Sequence, residues 1–95
     1  MPEIKIYADP DILLRVVADE YLLIPVGEAG VRIHGMISLT ESGAMLWRAL
    51  SEPKSADELI ELILSEYCID RETAERDVMS FISKMKNVGI VRDAA

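Results

Sequence analysis

The chain has 95 residues, of which 51% are hydrophobic and 28% charged, and its formal net charge is −7. That length supports one domain with one modest core, and the composition is too apolar for a disordered chain. The acidic balance argues against a main role in gripping nucleic acid or anionic lipid, both of which need concentrated Lys and Arg.

One cysteine, Cys68, excludes an internal disulfide and fits a reducing, cytoplasmic setting. No apolar run approaches the roughly 18–20 residues that cross a bilayer. Met1-Pro2-Glu3-Ile4-Lys5 lacks the basic and apolar regions of a signal peptide.

Residues 1–12 are expected to be loosely held, with Asp9-Pro10-Asp11 as turn chemistry, and residues 13–92 to form the domain. Leu13 to Val17 predicts a first strand and Tyr21 to Val26 a second, joined by the hairpin-length Ala18-Asp19-Glu20. Pro25 cannot donate a ladder bond, so it belongs near a strand end or on a solvent-facing bond. Gly27-Glu28-Ala29-Gly30 predicts the next turn. Val31 to Leu39 predicts a third strand. Val31, Ile33, Ile37 and Leu39 share one parity, and Arg32, His34, Met36 and Ser38 the other. Gly35 interrupts the buried parity, as at a bulge or a close backbone approach.

Three helices follow. Thr40 caps the first, from Glu41 to about Leu50, with Ala44, Leu46, Trp47 and Leu50 inward. Ser55-Ala56-Asp57-Glu58 is a capping box for the second, striped by Leu59, Ile60, Ile63, Leu64 and Tyr67. Asp70 caps the third, which runs to about Asn87 with Ala74, Val78, Phe81, Ile82 and Met85 inward and Gly89 closing it. Ile90-Val91 either forms a short strand or packs down. No helix separates the strands, which argues against a parallel Rossmann-type sheet. The expected fold is α+β: a three-stranded antiparallel sheet followed by three helices, in a small winged helix-turn-helix-like domain.

No catalytic constellation is present. His34 is the only histidine, and Cys68 reads first as a small buried hydrophobe. One Cys and one His cannot hold zinc, and no phosphate-binding loop is present, so neither metal nor cofactor is expected. The acids of the last two helices read as a solvated face. A winged helix raises DNA binding as the alternative. The third helix, however, cancels Arg71, Arg76, Lys84 and Lys86 with Asp70, Glu72, Glu75 and Asp77. In a meander, Val31 to Leu39 would be an edge strand with unpaired N–H and C=O groups. A helix beside it would make a groove for an added peptide strand. Equally, the first twelve residues or a dimer partner would cover that edge.

The stretch Ile33-His34-Gly35-Met36-Ile37-Ser38-Leu39-Thr40-Glu41-Ser42-Gly43-Ala44-Met45-Leu46-Trp47 resembles the strand-to-helix signature of PqqD-like proteins. So do Leu22-Leu23-Ile24-Pro25-Val26-Gly27-Glu28 before it and Ala74-Glu75-Arg76-Asp77-Val78-Met79-Ser80-Phe81-Ile82 after it, with Lys86-Asn87-Val88-Gly89-Ile90-Val91 as the ending. Thr40 stands where many relatives carry Asn, and either residue caps a helix. The pieces look like members outside the cofactor-biosynthesis branch.

This resemblance implies a non-catalytic recognition element for ribosomally synthesised, post-translationally modified peptides (RiPPs). Such a domain binds the leader of a precursor peptide and presents it to a modifying enzyme, a radical SAM maturase or a leader peptidase. The leader adds as an antiparallel strand and lies against the third helix. Carried onto this chain, the strand wall is Val31, Arg32, Ile33, His34, Gly35, Met36 and Ile37. The helix wall is Asp77, Phe81 and Lys84, with Arg76 and Met85 as neighbours. Neither nucleic acid nor membrane is implied as a partner, and the chain would act as a monomer or homodimer.

Overall fold

The computed structural model describes residues 4–33 and 35–94. The elements run β1 (Lys5–Ala8), β2 (Ile12–Val17), β3 (Glu20–Pro25), α1 (Gly27–Arg32), β4 (Ile37–Leu39), α2 (Glu41–Ala49), β5 (Lys54–Ser55), α3 (Ala56–Glu66), α4 (Arg71–Val88) and β6 (Val91–Asp93). The α+β class and the antiparallel three-stranded meander match the expectation. There are, however, two sheets among the described residues, ordered β2-β3-β4 and β5-β1-β6.

The meander begins with a tight hairpin. Val17 pairs with Glu20 across Ala18 and Asp19, whose φ values of 49° and 66° are those of a type I′ turn. Its twist matches that of the flanking strands. Pro25 ends β3 opposite Ile12, beyond the last pair that β3 makes with β4, so its missing N–H leaves no ladder bond unmade.

Two segments depart from the sequence reading. Residues 5–8, expected to be loose, form β1. It pairs with β5 at Lys5↔Ser55 and with β6 at Tyr7↔Arg92. The Ala8 and Asp9 amides add bonds to the Leu50 and Ile90 carbonyls at 2.8 and 2.9 Å. Ile4-Lys5-Ile6-Tyr7 is short for a strand signal, and both of the strands that hold it lie far along the chain. Residues 27–32, expected to be a turn and the start of a strand, form α1. Gly27 enters it at φ 56°, Ala29 is fully buried beneath it, and Arg32 is anchored by Asp9. Two glycines and a valine make poor helix, so tertiary contacts decide this element.

The three later helices start where predicted. The Thr40, Ser55 and Asp70 side chains accept from the amides of Gly43, Glu58 and Thr73. Gly89 ends α4 in the left-handed region at φ 84°, and the chain returns as β6 beside β1. The core joins Leu23 of the sheet to Leu50, Leu59, Val78, Met85 and Ile90, all fully buried. Cys68 follows the end of α3 and is exposed, not buried as expected.

Candidate peptide-binding groove

The hairpin fixes which backbone groups face outward. Its closing pair, Val17↔Glu20, is a hydrogen-bonded pair, so alternate pairs along β2 and β3 bond each other. The Val26 amide bonding to the Asp11 carbonyl at 2.7 Å continues that alternation. Tyr21 and Leu23 therefore turn their N–H and C=O toward β4, where they meet Leu39 and Ile37. Ser38 is left with both its backbone groups on the far side. Among the described residues β4 is the end strand of its sheet, so those groups face an open edge.

A groove of about 450 Å³ lies against that edge. Ser38, Leu39 and Thr40 line its strand side, and Asp77, Ser80, Phe81, Lys84 and Met85 line its α4 side. The α4 residues recur at helical spacing and so share one face. Leu46 of α2 and Ile63 of α3 are both buried core residues that line it too, with Tyr67 and Ile69 beyond them. Asp77 and Lys84, two turns apart, bring one charge of each sign to a wall otherwise made by Ser80, Phe81 and Met85. Desolvation, with the carboxylates of Glu41 and Glu66, pushes the Tyr67 phenol above its ordinary value of 10.0.

A larger hollow of about 710 Å³ lies between the end of α2 and the start of α3, lined by Arg48, Glu52, Lys54 and Leu59 among others. No β4 residue lines it, and its one strand residue is Lys54 of the two-residue β5.

Four of the expected site residues meet in the groove: Asp77, Phe81, Lys84 and Met85. Phe81 and Met85 also belong to the core. Arg76 is on α4 but does not line the groove. The expected strand wall contracts. Val31 and Arg32 are helical residues of α1, so they present no strand edge. Val31 is 78% exposed, and the Arg32 guanidinium sits 3.1 Å from Asp9. Ile33 caps α1 and packs partly on the core. Gly35 and the exposed Met36 precede β4, and Ile37 pairs inward with Leu23. His34 lies outside the described residues. The other ten residues that line the groove, Ser38 and Ser80 among them, were missing from the expected set. Ser80 stands three residues after Asp77 and four before Lys84, so helical spacing alone would have found it.

Two of the four cations on α4 are engaged by acids, Lys86 by Asp93 at 3.4 Å and Arg71 by two carboxylates. Arg71 bonds to Glu61 at 2.7 Å and to Glu75 at 3.2 Å, and these acids raise its pKa further.

A family model described as coenzyme PQQ synthesis protein D (PqqD) matches residues 18–91. The chain belongs to the PqqD family. Two solved structures share this PqqD-family fold. One is TbiB1 in complex with the TbiA(beta) leader peptide, at TM-score 0.72 and 25% identity, covering 94% of this chain and 98% of that one. The other is lasso peptide synthetase B1 complexed with the leader peptide, at TM-score 0.70 and 20% identity, covering 92% and 96%; at that identity the likeness concerns the fold. No curated protein sequence matches the chain. No described helix is long and apolar enough to cross a membrane.

Proposed function

We propose that this chain is a RiPP recognition element that binds the leader of a precursor peptide by strand addition. The observation that carries the proposal is the free edge of β4 facing the α4 groove, in a PqqD-family chain whose structural neighbours hold leader peptides. The leader lies antiparallel to β4 and exchanges backbone bonds with Ser38. Alternate side chains enter the groove over Leu39, Phe81 and Met85, and Asp77 and Lys84 meet its charged residues. The chain does no chemistry itself. It is a cytoplasmic partner that raises the concentration of precursor at a separate modifying enzyme, a radical SAM maturase or a leader peptidase.

The test is a titration of the full chain with synthetic leader segments of RiPP precursors. Ser38→Pro removes an outward N–H without taking a bond from β3, a position where edge strands tolerate proline. The leader carbonyl it leaves unpaired costs about 1–3 kcal/mol, so affinity drops roughly 5- to 150-fold. A folded Ser38→Pro variant that binds the leader as the parent does would refute strand addition at β4.

A further inference from the structure

The meander has a second edge. β4 has three residues, whereas β2 has six, Ile12-Leu13-Leu14-Arg15-Val16-Val17. The alternation that frees Ser38 also frees both backbone groups of Leu14 and Val16. At Ile12 it frees the carbonyl, since the Ile12 amide bonds to the Asp9 carbonyl at 3.1 Å. Among the described residues no strand pairs with this side. Leu13, Val16 and Val17 are 37%, 58% and 52% exposed. Proteins guard such an edge with charge, proline or a bulge. β2 contains no proline, and its register runs unbroken from Ile12↔Pro25 to Val17↔Glu20. Its one charge is Arg15. In a chain with 17 acidic residues and a net charge of −7, β2 carries no acid, so its edge itself sets no carboxylates against each other between two copies.

We propose that two copies of this chain pair antiparallel through β2, making one continuous sheet ordered β4-β3-β2-β2-β3-β4. A two-fold axis normal to the sheet keeps every side chain on its own face, so the register must centre on a residue. Centring on Arg15 sets two guanidinium side chains directly opposite at the closer pair spacing, about 4.5 Å between Cα atoms. Centring on Leu14 avoids this. Leu14 then bonds its counterpart, and Val16 packs opposite Ile12 of the second copy. Arg15 stands opposite Leu13 of the second copy, with Asp11 of that copy on one diagonal and Arg15 of that copy on the other, so an acid within an arginine's reach offsets the like charge. Both α4 grooves stay on the outer edges of the dimer, so leader and dimer do not compete.

Sedimentation of the full chain without leader, over rising concentration, tests this. The expected mass climbs toward twice 10.6 kDa. Val16→Lys, with an unchanged circular dichroism spectrum, stays at the mass of one chain. In a Cys68→Ser background, Leu14→Cys cross-links to its counterpart on oxidation, because the paired Cα atoms lie about 5.5 Å apart. Val17→Cys does not, since this register holds its copies about 20 Å apart. Three results overturn the proposal: one-chain mass at every concentration, a dimer that survives Val16→Lys, or cross-linking of Val17→Cys in preference to Leu14→Cys. Loss of leader affinity in Val16→Lys would assign the edge to the leader and overturn it as well.

Discussion

Asp9 is a buried carboxylate, 3% exposed, in an otherwise polar-poor interior. Burial by itself would raise its pKa. The Asp11 amide at 2.9 Å and the guanidinium groups of Arg92 and Arg32, each at 3.1 Å, outweigh that and hold it below the ordinary value of 3.8. One side chain thus ties α1 to β6. Its stabilisation is complete above the unfolded pKa and fades as pH falls through the lower folded value. Asp70 and Glu58 are lowered too, by hydrogen bonds with Thr73 and with the Ser55 amide, so they act in the same direction. Thermal melts should therefore show stability declining below about pH 4. Asp9→Ala should cost about 1–3 kcal/mol at neutral pH, because its arginine partners are half exposed and regain water. Asp9→Asn should flatten the acid limb. A melting curve with the parent's acid limb after either change would show that Asp9 does not carry it. Phe81, in contrast, tests the site poorly. It lines the groove and fills the core, so Phe81→Ala loses packing and contact together.

Elements were legible in the sequence where their signals are local. The caps of α2, α3 and α4 are single side chains bonding an amide three residues on, and all three stand where the pattern put them. The Ser55 and Glu58 capping box is complete, with both bonds at 3.0–3.1 Å. Ser55→Ala should lower stability by about 1 kcal/mol in denaturant unfolding without altering leader binding. A stability unchanged within error would mean the box is redundant with packing. Elements defined by distant partners were not legible. β1 exists because Lys54–Ser55 and Val91–Asp93 flank it. α1 exists because Ala29 is buried and Arg32 finds Asp9. Val31-Arg32-Ile33 alternates like a strand, and only that tertiary anchoring turns its first two residues into helix. The same misreading drew the expected strand wall too long, whereas the α4 wall, set by spacing along one helix, was mostly found.

At the scale of the whole molecule, the two free edges of the meander take different roles in this account. β4 faces a groove with mixed charge and receives a peptide; β2 is longer, carries Arg15 but no acid, and receives a second copy. The short β4 is consistent with a strand that a ligand completes. Charge changes at Asp77 and Lys84 belong to this scale, because both are exposed and shape the groove without filling the core. Lys84→Glu should shift stability by no more than about 0.5 kcal/mol while changing leader affinity and its salt dependence. An affinity and salt response identical to the parent's would remove Lys84 from the binding wall. The most direct measurement is residue-resolved amide exchange on the full chain, with and without the synthetic leader segment. Leader should slow exchange at the Ser38 amide, leave that of Leu14 and Val16 unchanged, and shift the resonances of Asp77 to Lys84. A Ser38 amide that exchanges equally fast in both states, with protection appearing instead at the hollow between α2 and α3, would contradict it.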